Sequence, residues 1–308
     1  MSPAGSTRIS VIVPTRDRPK SLQRCLAALS AQTLHGQLEV VVVDDGSFAS
    51  DEVAALVARH PRARLVLQNG RGPAAARNAG ARASCGSFVC FTDDDCAPSP
   101  DWAERLIETL EQGADAAAGT TTLTRAGALA DAFEFIVKAP AAVPPPDGSD
   151  LSFAPSNNLA CTRAALEATP FDESYPRAAG EDRAWCAQLL ANGFVLRSAP
   201  AAHVLHDQNL SLRRFLAHQV RYGQGAYQFR RRRGDQRALE PPTFYAALLR
   251  RAFAKGFGVG VLVTLGQLAT AVGFAGEWSR MRSEQRWLNA GAARASASAG
   301  EDQPACSE

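Results

Sequence analysis

Three consecutive acidic residues follow an apolar segment, and their spacing could place two of them on one metal ion. Asp93, Asp94 and Asp95 come after the apolar residues 88–91. Alternate carboxylates at a strand end point the same way, so Asp93 and Asp95 could share a hard divalent cation while Asp94 faces elsewhere. Oxygen sites with open positions suit Mg²⁺ or Mn²⁺, which could bridge a pyrophosphate. The competing interpretation is a solvated acidic turn.

Two other polar segments could bind a ligand. Residues 44–47 read Asp-Asp-Gly-Ser after a second apolar run, and they could accept hydrogen bonds from a ligand or cap a helix. Residues 70–80 form a Gly-rich turn that opens a helix, which offers N–H groups at a positive helix end. Arg77 adds a cation, so we expect an anion nearby. The segment has neither the Rossmann fingerprint nor the Gly-Lys-Ser/Thr ending of a P-loop.

The elements that must position these residues alternate between strand and helix. This alternation predicts crossover units and a mostly parallel sheet covered on both faces. Ligands in such sheets bind at the carboxyl ends of the strands. Three of the four strands end in polar loops, which would meet there. The predicted strands cover residues 9–13, 40–43, 65–67 and 87–91, and the predicted helices begin at Pro19 and cover 51–60 and 73–84.

Patterning is less regular in the second half of the chain. Residues 120–153, with three consecutive prolines at 144–146, are predicted to be a long surface excursion that covers the site. Regular elements then resume, and Gly193 is expected to cap a helix. The other predictions are a helix at 101–112, strands at 115–119, 157–160, 195–196 and near 204, and helices at 182–192 and 212–233.

Charge is distributed unevenly along the 308 residues, although the formal net charge is only +2. Residues 197–255 carry 12 basic and 3 acidic side chains. A basic block of this kind could bind nucleic acid, an anionic membrane surface or a phosphorylated substrate. No nucleic-acid motif accompanies the block, which favours the other two partners. Because arginine outnumbers lysine throughout the chain, composition bias is an alternative source of the charge.

The uncharged residues 256–276 follow this basic block. Their length suits a membrane-spanning helix, but six glycines lower the hydrophobicity, so a buried or interfacial helical hairpin is an equal alternative. The seven cysteines are scattered without a C-x-x-C pair, which argues against a disulfide framework or a zinc site. No apolar signal region opens the chain. We therefore expect a cytoplasmic protein at the inner face of the cell membrane.

Five motifs in order resemble those of family-2 glycosyltransferases, which have the GT-A fold. The resemblance covers about residues 9–206. It implies an α/β fold of the GT-A type, a doubly wound, mostly parallel sheet, here with a C-terminal helical appendage. The motifs are Val-Ile-Val-Pro-Thr-Arg-Asp-Arg at 11–18, Val-Val-Asp-Asp-Gly-Ser at 42–47, Ala-Arg-Asn-Ala-Gly at 76–80, Phe-Thr-Asp-Asp-Asp at 91–95 and Gly-Glu-Asp at 180–182.

The resemblance also implies roles for individual residues. Asp93 and Asp95 would be the D-x-D pair that ligates Mg²⁺ or Mn²⁺ on the donor diphosphate. Asp182 would be the general base that deprotonates the acceptor hydroxyl, although an acidic pair at a helix start is also favoured by the helix dipole. His206 would complete the metal shell or meet the diphosphate. The other predicted donor-binding residues are Pro14, Thr15, Asp17, Asp45, Arg77, Asp94 and Asn157.

These inferences predict a metal-dependent, inverting glycosyltransferase. A nucleotide-diphosphate sugar would be the donor, and a carbohydrate or lipid-linked hydroxyl would be the acceptor. The alternatives are a sugar-phosphate nucleotidyltransferase and a non-catalytic scaffold that binds sugar nucleotides or membranes. We expect a catalytic domain at 1–210, with a nucleotide-sugar half at about 1–119 and an acceptor half at about 120–210. A helical appendage at 211–291 and a disordered tail at 292–308 would follow.

Overall fold

Four parallel strands form the first half of the sheet, as the apolar segments predict. A computed structural model describes residues 7–138, 150–175, 179–208, 210–233 and 241–301, with side chains to 284. Strand β1 pairs with β2 and β4, and β2 pairs with β3, all in parallel. Their β-branched side chains are buried because helices cover both faces. The strands are β1 (Ile9–Thr15), β2 (Leu38–Asp44), β3 (Ala63–Leu67) and β4 (Phe88–Thr92).

The second half of the sheet is mixed. Antiparallel pairs join β4 to β7, β7 to β6 and β8 to β5, whereas β6 and β8 are parallel. The strand order is β3-β2-β1-β4-β7-β6-β8-β5. The segments at 195–196 and near 204, predicted to be separate strands, belong to one strand, β8. The bounds are β5 (Cys96–Pro98), β6 (Ala116–Leu123), β7 (Asn158–Thr162) and β8 (Leu196–His206).

Helices pack on both sheet faces and divide the apolar core into two clusters. Trp102 is fully buried in the cluster on one face, and Trp185 lies in the cluster on the other face. A short 3-10 helix spans His35–Gln37. The surrounding helices are α1 (Pro19–Ser30), α2 (Ser50–Val57), α3 (Pro73–Ala83), α4 (Trp102–Glu111), α6 (Arg163–Ala168) and α7 (Glu181–Ala191).

The prediction of an irregular excursion at 120–153 is wrong for its first part. Strand β6 continues to Leu123, and helix α5 spans Ala128–Lys138. Tertiary packing explains the difference, because the end of β6 pairs with β8 beyond a bulge and α5 packs against the C-terminal helices. The three prolines at 144–146 lie outside the described residues.

Three helices form the C-terminal part of the chain. They are α8 (Leu212–Arg232), α9 (Pro242–Lys255) and α10 (Phe257–Glu301). Gly223 and Gly273 let α8 and α10 approach closely, since a side chain at either position would collide with the other helix's backbone.

Residues 257–276 of the uncharged run lie in one continuous helix, α10, so the run does not form a hairpin of its own. Within α10, the segment Phe257–Glu284 is long and apolar enough to cross a membrane by length and composition. The helix also continues through Glu301, where a disordered tail from 292 was predicted. Alanine accounts for part of this difference, because residues 290–299 are rich in this strong helix former.

Candidate functional site

An open cleft of about 1870 Å³ lies at the carboxyl ends of β1, β2 and β4 and extends to the C-terminal helices. All the residues predicted for the site line this cleft, so the fold brings together segments that are far apart in sequence. They are Pro14, Thr15, Asp17, Asp45, Arg77, Asp93, Asp94, Asp95, Asn157, Asp182 and His206.

Asp94 and Asp95 are joined by an arginine that the sequence prediction did not assign. The Arg18 Nη1 group donates to Asp94 Oδ1 at 3.2 Å and to Asp95 Oδ2 at 2.9 Å. Thr15 Oγ1 also donates to Asp94 Oδ2 at 2.8 Å. Burial raises the pKa of Asp94 to about 7, although Arg18 opposes that shift. The loop after β1 therefore binds the acidic loop after β4 directly.

Asp95 and His206 form the part of the site best suited to a metal ion. His206 Nε2 lies 3.0 Å from Asp95 Oδ1, and the two residues form a group with Cys96 whose ligand atoms lie within 4.8 Å of one another. Burial raises the pKa of the Cys96 thiol, so this neutral sulfur is a poor ligand for a hard cation. Burial also opposes ionisation of Asp95, but the hydrogen bond from His206 holds the pKa of that carboxyl below its usual value.

Asp93 has a different partner and is not in that group. Its Oδ1 atom accepts a hydrogen bond from Arg77 Nη2 at 3.2 Å, and its side chain is about one third exposed. Asn157 lies near the other end of the triplet, with its amide 3.4 Å from His206 Nδ1. The first carboxylate of the triplet, Asp93, thus pairs with Arg77, and the third, Asp95, pairs with His206.

Asp45 shapes the Gly-rich turn. Its Oδ1 atom accepts from Gln68 Nε2 at 2.6 Å and from the Arg71 backbone N–H at 2.7 Å. Its Oδ2 atom accepts from the Gly72 N–H at 2.9 Å. The left-handed φ of +89° at Gly72 favours glycine there and sets the start of α3.

Asp17 fastens the loop after β1 to the loop after β2. Its Oδ1 atom accepts from the Phe48 N–H at 2.8 Å, and its own N–H donates to Ser47 Oγ at 2.9 Å. Asp17 has a φ of +56°, which is rare for a residue other than glycine, so these two bonds hold a strained backbone. Both loops therefore present one continuous wall to the cleft.

Arg77 is buried among three carboxylates. Only 4% of its side chain is exposed, and its guanidinium lies 3.2 Å from Asp93, 3.3 Å from Glu181 and 3.5 Å from Asp182. Burial, together with the Asp182 charge, raises the pKa of Glu181 to about 8 despite the opposing effect of Arg77. The arginine predicted to attract an anion of a ligand is thus already surrounded by carboxyl groups of the protein.

Asp182 lies in the first turn of α7, which begins after Gly180. Its Oδ2 atom accepts from the Ser156 N–H at 3.1 Å. Its Oδ1 atom is buried and has no hydrogen-bond partner among the described residues. About a fifth of the side chain is exposed, and the residue lines the cleft. Oδ1 also lies 3.5 Å from Arg77 Nη1. A carboxylate at the edge of a cleft can accept a proton from a bound hydroxyl.

Sequence reasoning left two important side chains without a role. Arg18 bridges the acidic triplet, and its position inside the first motif, directly before the helix, was the available signal. Glu181 is 3% exposed and pairs with Arg77, whereas its sequence position indicated only an acidic helix start. Both roles depend on partners that are about 75 to 105 positions away, which the sequence pattern alone does not identify.

Comparison with known proteins gives a family match over part of the chain. Residues 10–131 match the model of glycosyl transferase family 2. The pre-mycofactocin glycosyltransferase of Mycobacterium tuberculosis is 29% identical over 275 residues, which cover 86% of this chain and 55% of that protein. Glycosyltransferase AglE of Haloferax volcanii is 33% identical over 123 residues, covering 38% of this chain and 40% of AglE. The chain thus spans about half the length of the curated relatives it matches.

Two solved structures share the fold. The mannosyltransferase PcManGT from Pyrobaculum calidifontis, in complex with GDP-Man and Mn²⁺, has a TM-score of 0.59 at 20% identity and covers 92% of this chain and 81% of its own. TarS residues 1–349 from S. aureus has a TM-score of 0.53 at 17% identity, with coverage of 90% and 92%. These structures confirm the predicted GT-A fold. The match over residues 10–131 supports the resemblance to family-2 glycosyltransferases.

Proposed function

With a family-2 glycosyltransferase domain as the premise, we propose that this chain transfers a sugar from a nucleotide-diphosphate donor to a hydroxyl acceptor, with inversion at the anomeric carbon. The observation that carries the proposal is the Asp182 carboxylate, which is about a fifth exposed and lines the same cleft as the acidic triplet. In this proposal Asp182 takes the proton from the acceptor hydroxyl as that oxygen attacks. A single displacement by this route inverts the anomeric centre.

Arg77 has a positioning role in the proposed reaction. Its guanidinium spans Asp93 on one side and Asp182 on the other, so it fixes the distance between the acidic triplet and the proposed base. Glu181 shares the same guanidinium and holds it in place.

The donor set also fits Mg²⁺ or Mn²⁺. Asp95 and His206 offer carboxylate oxygen and imidazole nitrogen within 3.0 Å of each other, and Asp93 would supply a further oxygen. Both kinds of atom bind these cations. When bound, the ion would offset negative charge on the leaving nucleoside diphosphate. The Mn²⁺ in the PcManGT complex supports this assignment.

The loops after β1 and β2 would hold the nucleoside. Asp17 joins these loops through its bonds to residues 47 and 48, and Asp45 orders the Gly-rich turn beside them. In this proposal Pro14 and Thr15 supply the adjoining wall for the base and ribose. Asn157, which contacts His206, would lie beside the donor sugar.

The substitution Asp182→Asn tests the proposed base. Donor turnover, followed as release of nucleoside diphosphate from a panel of nucleotide sugars, should fall at least about 100-fold, because general-base catalysis typically contributes 10²–10⁴-fold. Binding of the nucleoside diphosphate should remain near the wild-type level. Asp131→Asn is the matched control, since that surface carboxylate pairs with Lys255 away from the triplet. Full turnover by the Asp182 variant would remove this residue from the base role.

We also propose that α10 holds the protein against the cytoplasmic membrane surface rather than spanning the membrane. One face packs on α8, and the opposite face exposes an uncharged stripe. Exposed arginines at 250 and 251 precede the stripe, and Arg282 follows it, which suits anionic headgroups. The stripe consists of Phe257, Val261, Leu265, Leu268 and Val272.

Vesicle flotation tests this location. The wild-type chain should float with phosphatidylglycerol-containing vesicles, and the double variant Leu268→Glu/Val272→Glu should stay in the dense fraction. Leu67→Glu changes an equally exposed apolar residue on strand β3 and should still float. Loss of flotation in all three proteins, or in none of them, would contradict the assignment of the stripe.

A further inference from the structure

The wall of the cleft formed by α8 is strongly basic. Residues 214, 218, 221, 222 and 225 recur at helical spacing and line the cleft together. Two of them, Arg214 and Arg221, are cations, and Arg230 lines the same wall two turns further on. The whole of α8 contains no aspartate or glutamate. The wall therefore offers positive charge without compensating acids on its own helix.

Arg221 is the central cation of this wall. It forms no ion pair or hydrogen bond with the residues that the structure describes. Burial, followed by the Arg221 charge, lowers the pKa of the neighbouring His218 to about 4, so this imidazole is neutral near pH 7. Among the acids that line the cleft, Glu134 pairs with Lys138 at 2.8 Å, Glu181 and Asp182 pair with Arg77, and Asp207 pairs with Arg24. The charge of Arg221 thus remains available to a ligand.

A buried donor lies on the same wall. Gln219 is fully buried and lines the cleft, and its Nε2 atom has no hydrogen-bond partner among the described residues. Its Oε1 atom lies 3.3 Å from Thr270 Oγ1, a hydroxyl that also lies 3.0 Å from the Gly266 carbonyl oxygen. An unpaired buried N–H is costly, and an oxygen-rich ligand would remove that cost.

The opposite wall of this end is apolar. Helices α5 and α9 supply Phe133, Ile136, Val137, Phe244 and Leu248. A free inorganic anion would use the basic wall alone. An amphiphile with a charged head and a hydrocarbon tail would use both walls at once.

Close packing connects this end to the proposed base. Gly225 packs against the backbone of Ala179, two residues before the start of α7, where a side chain would collide. Arg221 lies one helical turn from Gly225, about 6 Å along the axis. Burial, followed by the Asp182 charge, raises the pKa of Tyr222, which places that ring within electrostatic reach of the base. A group held at Arg221 is therefore within small-molecule reach of Asp182.

We infer that this end of the cleft binds a phosphate-class anion carried by the acceptor, with Arg221 as its main contact and the apolar wall receiving a hydrocarbon portion. The inference rests on the proposed transferase function, because it assigns the acceptor side of the same cleft. The phosphate could belong to a lipid or to a soluble phosphorylated sugar. These two sources share the recognising chemistry and differ in their use of the apolar wall.

Calorimetry on the full chain tests the inference. The donor side is first filled with saturating nucleoside diphosphate and Mg²⁺, and farnesyl phosphate, farnesol and glucose 6-phosphate are then titrated separately. Farnesyl phosphate should bind at least about tenfold more tightly than farnesol, because a charge-assisted hydrogen bond is lost without the phosphate. Arg221→Gln should weaken farnesyl phosphate binding by about the same factor. Glucose 6-phosphate binding as tight as that of farnesyl phosphate would identify a soluble source.

Arg213→Gln is the matched control, because this neighbouring arginine is exposed on α8 and does not line the cleft. It should leave binding unchanged. Equal affinity for farnesol and farnesyl phosphate would overturn the inference, and so would equal effects of the two arginine variants. Nucleoside diphosphate binding is measured first as a separate readout. Its absence would count against the proposed transferase function, whereas the anion titrations would still report on Arg221.

Discussion

Substitution of Arg77 by methionine should destabilise the protein strongly. The guanidinium is 4% exposed and lies within 3.5 Å of three carboxylates, two of which, Glu181 and Asp182, start the same helix. Methionine fills a similar volume but leaves these acids without a cation. Breaking a buried ion pair from one side costs about 3–5 kcal/mol. At about 2–4 °C per kcal/mol for a domain of this size, the melting temperature should fall by about 6–20 °C.

The matched control is Arg64→Met. Arg64 pairs with Glu39 at 3.3 Å, but its side chain is 44% exposed, so the change should cost less than about 1 kcal/mol. Urea unfolding followed by circular dichroism measures both variants. The reasoning fails if Arg77→Met costs no more than Arg64→Met.

Three further outcomes are expected. Burial raises the pKa of Glu181 to about 8, so between about pH 4.5 and 8 the unfolded chain loses this proton while the folded protein keeps it. The free energy of unfolding of the wild type should therefore decline as the pH rises through this range. Glu181→Gln should flatten that decline in urea titrations at the same pH values. Gly119→Ala should cost more than about 1 kcal/mol by the same unfolding assay, because a Cβ there would collide with the Ala202 carbonyl and the Asn158 amide. His206→Ala should weaken Mn²⁺-dependent nucleoside diphosphate binding at least about tenfold in calorimetry, and unchanged metal dependence would contradict its assignment as a ligand.

The part of the fold that sequence predicted best is the part set by local patterning. The runs of β-branched residues at 9–13 and 40–43 and the proline at 19 define β1, β2 and the start of α1, and all three are confirmed. The first four strands are parallel, as the alternation predicts. Strands β5 to β8 were harder, because β6 and β8 are held by a bulged pairing that no local signal marks.

The candidate site shows the same division. Motif order predicted that the acidic triplet, the Gly-rich turn and residue 182 would meet in one cleft, and they do. The motifs did not predict how the charges pair. Arg77 was expected to face a ligand, yet its partners are Asp93, Glu181 and Asp182. Pairing depends on distances of a few ångströms between segments 16 to 105 positions apart, which composition and spacing do not encode.

The same charge pairing bears on how the two ends of the cleft could act together. Arg77 fixes Asp182 from the side of the acidic triplet, and α8 packs against the backbone just before Glu181 from the other side. A ligand bound to Arg221 would lie one helical turn from Gly225, and Gly225 packs against the residues just before α7. Asp182 is thus supported from the side of the acidic triplet by a charge and from the side of α8 by backbone packing. We therefore expect Arg77→Met to impair turnover through the position of Asp182, whereas Arg221→Gln should act on acceptor binding and leave the position of Asp182 unchanged.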